Sequence, residues 1–146
     1  MTSRFQLPPI LKACERLLLE IEQAVRQFPR YHRYMIGSDL RRQMMSVYST
    51  ANRAWRDRTN QPKLVGQLVW DIDDLKQHLQ AAKLFKAFRS FRQFEMLIRL
   101  AEELGAQAGG WRRRLVNPQA QNAQASSVAQ RGKKLSTHGA SAGANS

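Results

Sequence analysis

A chain of 146 residues has room for one domain of ordinary size, and its 42% hydrophobic content is enough to build a core. The formal net charge of +13 favours anionic partners, above all nucleic acid. The single cysteine excludes an internal disulfide, and no apolar run is long enough to cross a membrane.

Four amphipathic helices are predicted, because apolar residues recur throughout the chain with helical spacing. The first begins at Pro8–Pro9 and ends before Pro29. Its acids and bases balance, and Glu22–Arg26 is an i,i+4 pair. The apolar stripe that it is expected to bury consists of Ile10, Cys14, Leu17, Leu18, Ile21, Val25 and Phe28.

The second helix follows a basic and aromatic connection, "PRYHRYMIGS", at 29–38. Ser38 is predicted to cap its start, Asp39 suits its first turn, and the helix is expected to end near Asp57. Its predicted apolar stripe consists of Leu40, Met44, Val47, Ala51 and Trp55.

The third helix is predicted to begin near Pro62 and end near Phe85, and Ser90 with Gln93 forms a capping-box pattern before the fourth. Gly109–Gly110 is expected to loosen the fourth helix before its end. The two predicted stripes are Leu64, Leu68, Ile72, Leu75 and Leu79, then Phe94, Leu97, Ile98, Ala101, Leu104 and Ala108.

Four such helices with short connections predict an all-α, antiparallel up-down-up-down four-helix bundle over residues 1–116. From residue 117 the sequence has no aromatic residue, and Val128 and Leu135 are its only large aliphatics. Such a segment buries too little surface to offset its backbone entropy, so 117–146 is predicted to be a disordered, basic tail.

Positive charge is concentrated on particular helix faces. Four residues of the second helix share the face opposite its apolar stripe: Arg42, Ser49, Arg53 and Arg56. Asp39 and Asp57 are that helix's only acids. A solvated face is the alternative interpretation, but such clustering is what a phosphate-binding surface needs. Arg92 and Arg99 share a face of the fourth helix, which three glutamates dilute.

The fourth helix ends in Trp111 and the adjacent arginines 112–114. A helix C-terminus stabilises a nearby cation by about 0.3–1 kcal/mol within its last turn. That effect accommodates Arg112, Arg113 and Arg114 but does not require all three. An anionic partner is therefore the second explanation for them.

No catalytic centre or metal site is predicted. Asp71, Asp74 and His78 share a face of the third helix, but this face is expected to point outward, and bundle metal sites draw Glu-x-x-His pairs inward. An exposed Asp74–His78 pair is the favoured interpretation. The sequence has no glycine-rich phosphate loop, nucleophile elbow or pair of cysteines of the zinc-binding type, so we expect no enzyme activity and no cofactor.

Some apolar side chains are expected to point away from the core and to meet other subunits. These are Met45, Tyr48, Trp70 and Leu84. The opening residues "MTSRFQLPPI" do not have the pattern of a signal peptide, and a cytoplasmic location is expected.

Two stretches resemble a known family. "FPRYHRYMIGSDLRRQ" at 28–43 is similar to the first interhelical connection of small bacterial four-helix bundles. That family includes proteins encoded in intervening sequences of ribosomal RNA genes and the accessory variability determinants of diversity-generating retroelements. "LAEELGAQAGGWRRRL" at 100–115 resembles the last helix of the retroelement branch.

The resemblance implies a strongly basic homopentamer of four-helix protomers. Such a protein binds the retroelement's reverse transcriptase and its template RNA and/or cDNA, and supports mutagenic retrohoming without being a polymerase. The positions that match the family's pattern are Arg30, Arg33, Arg41, Arg42 and the three C-terminal arginines; Arg53, Arg56, Arg92 and Arg99 depend on the helix-face pattern alone.

Two alternatives remain open. One is an intervening-sequence bundle that binds RNA or protein and has no polymerase partner. The other is a nucleic-acid-processing enzyme, which the lack of a carboxylate or histidine constellation disfavours.

Overall fold

The computed structural model describes residues 7–117, and this segment is helical, with no strand in it. Its helices are α1 (Pro9–Arg26), α2 (Arg30–Arg33), α3 (Ile36–Arg56), α4 (Gln61–Leu84) and α5 (Phe91–Val116). Because α2 is a single turn, four long helices build the fold, and the predicted all-α four-helix class is confirmed. Except for Asn117, the predicted tail lies outside the described residues.

The chain divides into two units, Met1–Arg112 and Arg113–Ser146, and the hydrophobic core belongs to the first. The predicted stripes of α1, α4 and α5 supply most of this core, with Leu64, Leu18 and Ile98 only partly buried. Cys14 is a free, fully buried core residue, as predicted. None of the helices between residues 7 and 117 has the length and hydropathy needed to span a bilayer.

Side-chain contacts join neighbouring helices of this unit. α3 packs against both α1 and α4. The side chain of Gln61, at the start of α4, donates to the main-chain oxygen of Ala54 near the end of α3 at 2.9 Å. Lys83, near the end of α4, lies over the ring of Phe94, near the start of α5, at 4.8 Å from the ring centre.

The predicted cap of α3 at Ser38 is wrong, because the helix begins at Ile36, which places its cap three residues earlier than predicted. Met35 occupies the cap position, and no side chain caps this end of the helix. Ile36 and Gly37 are buried, and Gly37 lies close to the first helix and its connection. The packing of these two residues therefore overrides the preference of serine for a capping position.

The prediction that Trp55 belongs to the buried stripe of α3 is also wrong. Ala54 is buried in its place, and Trp55 remains 44% exposed. Its ring meets that of Trp111 edge to face, with 6.4 Å between the ring centres. Gly109 and Gly110 were expected to loosen α5, but the helix continues through both residues.

The predicted cap of α5 is confirmed, because the Gln93 amide donates to Ser90 Oγ at 3.2 Å. The reciprocal bond of the capping box is displaced by one residue. The Gln93 side chain accepts from the amide of Arg89 instead of that of Ser90, also at 3.2 Å.

α4 ends in a Schellman motif with an unusual residue at its left-handed position. The amide of Ala87 donates to the Ala82 carbonyl at 3.0 Å, and that of Lys86 donates to the Lys83 carbonyl at 2.9 Å. Lys86 has a φ of 59°, in the left-handed region. Glycine adopts this conformation without penalty, whereas the Cβ of a lysine makes it unfavourable.

We expect Lys86→Gly to raise the free energy of unfolding by about 1 kcal/mol, because it removes this backbone strain. Urea denaturation followed by circular dichroism measures the change. Lys86→Ala is the matched control, since it removes the charge and keeps the Cβ. If alanine stabilises as much as glycine does, the effect comes from the charge and the strain argument is wrong.

Candidate nucleic-acid interface

An open groove with a volume of about 480 Å³ lies between α3 and α4. Its lining residues are Arg42, Met45, Ser46, Ser49, Thr50, Arg53, Leu64 and Gln67. The groove thus brings together three of the four residues predicted to share the basic face of α3. Arg56 is exposed one turn further along and does not line the groove.

The groove has a polar wall that is fixed by a buried carboxylate. Thr50 Oγ1 donates to Asp71 Oδ2 at 3.0 Å, and Gln67 Nε2 donates to Asp71 Oδ1 at 2.8 Å. Gln43 Nε2 also donates to the main-chain oxygen of Asp71 at 2.9 Å. Both carboxylate oxygens therefore have donors, and the two groove side chains that supply them are held in place.

The expectation that Asp71 points outward is wrong, because only 8% of this residue is exposed and it faces α3. Asp71 has the helical spacing of the buried stripe relative to Leu68 and Leu75, so the sequence pattern itself indicates that it is buried. His78 Nδ1 donates to the main-chain oxygen of Asp74 at 2.7 Å, so the hydrogen bond between these two residues runs from a side chain to the backbone. Between residues 7 and 117 no cluster of three or more histidine, cysteine or acidic side chains could hold a metal ion.

Arg42 and Arg53 are the two cations of the groove, and both are exposed. Arg42 Nη1 pairs with Asp39 Oδ1 at 3.0 Å. An exposed ion pair of this kind contributes only about 0–1 kcal/mol, so Arg42 can exchange Asp39 for a phosphate at little cost. Hydrogen bonds from Asn60 lower the pKa of the Asp57 carboxyl, and the charge of Arg53 adds to this effect.

Arg41 and Arg33, which the resemblance includes among the binding residues, have intramolecular partners. Arg41 donates to both carboxylate oxygens of Glu22, from Nε at 2.8 Å and from Nη2 at 3.1 Å, and so joins α3 to α1. Arg33 is half-buried, and its Nη2 donates to the Phe28 carbonyl at 3.4 Å. Arg30 is exposed on α2.

The Glu22–Arg41 pair should make stability depend on pH. Hydrogen bonds from Arg41 are the main cause that lowers the pKa of the Glu22 carboxyl. A carboxyl whose pKa is lower in the folded state stabilises the fold above its unfolded pKa. This stabilisation is lost as the pH falls through the lowered value.

Glu22→Gln should therefore lower the free energy of unfolding by about 0.5–1 kcal/mol at neutral pH, a value that allows for the partial exposure of the pair. Below the lowered pKa the variant and the unchanged protein should melt at the same temperature. Thermal melts at the two pH values measure the difference. If the difference in melting temperature between the two proteins stayed constant with pH, the pH dependence would not come from the Glu22–Arg41 pair.

The remaining predicted arginines lie on α5. Arg92 and Arg99 are exposed, and Arg112 is exposed at the end of the first unit. Arg113 and Arg114 belong to the second unit, where they are exposed in the last turn of the helix, a position that suits cations.

Three of the apolar residues predicted to meet other subunits are exposed, namely Met45, Trp70 and Leu84. Tyr48 is partly buried and packs against the core. Met45 also lines the groove, so the predicted subunit contact and the groove overlap at this residue.

Sequence reasoning missed Thr50 and Gln67 as members of the groove. The available signal was the i,i+4 spacing of Gln67 and Asp71 on one helix. The position of Thr50 opposite them required the alignment of α3 against α4. Comparisons of the chain with protein-family models, with curated proteins and with solved structures find no match.

Proposed function

We propose that this protein is a non-catalytic nucleic-acid-binding protein whose groove between α3 and α4 contacts the phosphate backbone. The observation that supports it is the presence of Arg42 and Arg53 around a row of hydroxyl and amide groups. Arginine, serine, threonine and glutamine side chains are common donors to phosphate oxygens.

The spacing of the two arginines suits a polyanion. They are separated by about three helical turns, or roughly 16 Å along α3. Phosphates of one strand recur about every 3.4 Å along a duplex axis, so several fit between the arginines. The negative charge of Asp71 repels a phosphate. However, Asp71 is buried beneath the wall of the groove, and Thr50 and Gln67 already donate hydrogen bonds to its two carboxylate oxygens.

A cysteine placed in the groove tests this contact directly. Cys14 is buried, and burial raises the pKa of its thiol to about 12, so it stays protonated and unreactive at neutral pH. In the Ser49→Cys variant the introduced thiol is the reactive one. A benzophenone maleimide on this thiol should crosslink to labelled RNA on illumination.

Gln23→Cys on the exposed surface of α1 is the matched control, with the same label and the same RNA. We expect crosslinks from position 49 and few from position 23. Equal yields at both positions, or yields above background at neither, would contradict a groove-bound phosphate backbone.

We further propose that the protein acts in the cytoplasm as the accessory subunit of a diversity-generating retroelement. It would bind the reverse transcriptase with its template RNA or cDNA and support mutagenic cDNA synthesis. The support is the sequence resemblance at 28–43 and 100–115. Co-expression with the reverse transcriptase encoded beside its gene should give a complex that copurifies with template RNA.

The second candidate is the ribosomal RNA intervening-sequence type of bundle. It shares the connection at 28–43 and predicts RNA binding without a polymerase. RNA that copurifies in the absence of any reverse transcriptase, together with a gene neighbourhood that encodes none, would favour this candidate.

We also propose that five copies assemble, with Trp70, Leu84 and Met45 in their contacts. The exposure of these side chains supports an assembly, and the number five comes from the resemblance. Light scattering should give a mass near five chains. A monomer at micromolar concentration would contradict the proposal.

A further inference from the structure

Two segments of the first unit carry a dense set of cations without a single acid. They are residues 29–35, which contain α2, and residues 83–92, which run from the end of α4 into the start of α5; together we call them the end surface. Their exposed cations are Arg30, Lys86, Arg89 and Arg92, with Arg33 and Lys83 half-buried, and neither segment contains aspartate or glutamate. Cations without neighbouring acids favour an anionic partner over an ordinary protein.

Ring contacts hold the two segments together. The ring of His32 stacks on that of Phe85, with 6.3 Å between centres and 10° between planes. Within the first segment, the rings of Tyr31 and His32 meet edge to face, with 5.3 Å between centres. Beneath them, Phe28 and Phe88 form a T-shaped contact at 5.1 Å. The end surface is therefore one surface, although its halves are about 50 residues apart in the chain.

Large aromatic rings remain open to solvent on the end surface. Tyr31 is 71% exposed, Tyr34 62%, Phe85 55% and Phe91 63%. Exposed aromatic rings beside cations are what single-strand binding proteins use, since bases stack on the rings and cations hold the backbone. A duplex does not offer its base faces in this way, because they are already stacked on one another.

Lys86, the residue with strained backbone after α4, belongs to this surface. Lys86 stays in a left-handed conformation that glycine would adopt more easily. Its side chain is exposed. Residues kept in unfavourable conformations are concentrated at functional sites, and a lysine supplies here a charge that glycine lacks.

We propose that the end surface binds unpaired bases of single-stranded nucleic acid by stacking, while its cations contact the adjoining phosphates. The proposal rests on the proposed nucleic-acid-binding function but names a second surface and the state of the strand. The groove contacts the backbone of either a single strand or a duplex, whereas the end surface discriminates between them.

Two probes and two variants separate these roles. The probes are a fluorescein-labelled single strand of about 12 nucleotides, within the site sizes of single-strand binders, and the same sequence as a duplex. The variant Tyr31→Leu/Tyr34→Leu removes two rings but no charge, and Tyr31→Phe/Tyr34→Phe is the matched control. Both positions are exposed, so the helical signal and melting temperature should be unchanged.

We expect the leucine variant to bind the single strand at least fivefold more weakly, with its duplex affinity within about twofold of the unchanged protein. The phenylalanine variant should bind both probes normally. An unchanged single-strand affinity, or an equal loss on both probes, would overturn base stacking. A leucine variant that changed only the oligomeric mass would overturn it in favour of a contact between copies.

A variant of the groove shows whether the end-surface proposal alone is wrong or the proposed function as well. The double substitution Arg42→Gln/Arg53→Gln should lower the affinity for both probes, since it removes contacts with the phosphate backbone of the nucleic acid. If the groove variant loses affinity and the leucine variant does not, the end-surface proposal alone is wrong. If the unchanged protein binds neither probe, both proposals are wrong.

Discussion

Replacing Gly37 by alanine should lower the free energy of unfolding by about 1–3 kcal/mol, although alanine has the higher helix propensity. A Cβ at this position would lie 2.8 Å from Val25 Cγ1 and 3.1 Å from the main-chain oxygen of His32. Val25 is fully buried, and a main-chain oxygen cannot rotate away. The added methyl would therefore push α3 away from α1 and α2.

Gly66→Ala is the matched control, because nothing lies within 4 Å of the Cβ that it would add to α4. It should raise the free energy of unfolding by about 0.5–1 kcal/mol through helix propensity alone. Urea denaturation of both variants measures the two changes, which are expected to have opposite signs. A stabilised Gly37→Ala variant would mean that the first turn of α3 does not pack as described.

Reversing the charge of the groove should have the largest effect on binding. We expect Arg42→Glu/Arg53→Glu to weaken RNA binding by a factor of about 100 or more at roughly 0.1 M salt. A hydrogen bond to a charged group contributes about 1.5–3 kcal/mol, and two would be lost. Fluorescence anisotropy with a labelled RNA measures the change. Both side chains are exposed, so the helical signal should persist.

Lys12→Glu/Arg16→Glu is the control for overall charge. It places the same charge change on the exposed surface of α1, outside the groove, and lowers the net charge of +13 by the same four units. We expect only a small loss of affinity, because exposed charges beyond a Debye length are screened. Equal losses in the two variants would show that binding follows net charge and not the groove.

The fold was predictable because apolar spacing encodes burial directly. Leu17, Ile21 and Val25 on α1 lie in one stripe of the sequence and in one core in the structure. The Ser90 cap was predictable for a similar reason, since its partner Gln93 lies within a single turn. Signals of this kind depend on residues that are near one another in the chain.

The errors arose where distant residues decide the outcome. The start of α3 depends on the packing of Gly37 against Val25, which no local pattern contains. The spacing of Trp55 from Ala51 predicts that it belongs to the stripe, but the equally well spaced Ala54 is the buried residue. Helical spacing allows either position, and the packing of neighbouring helices chooses between them.

The groove could be only half predicted. Periodicity placed Arg42 and Arg53 on one face of α3, but it did not identify the helix beside that face. The wall formed by Thr50 and Gln67 exists because Asp71 of α4 lies opposite α3. Likewise, the ring contact of His32 with Phe85 joins two segments that the sequence keeps apart.

The salt dependence of RNA affinity measures how many phosphates the groove neutralises. Plots of log affinity against log salt concentration are compared for the unchanged protein and Arg42→Gln/Arg53→Gln, which keeps helix propensity nearly constant. If each arginine contacts one phosphate, the slope should become shallower by about 1.4–1.8, with the melting temperature unchanged or slightly higher. Parallel lines for the two proteins would contradict phosphate binding in the groove.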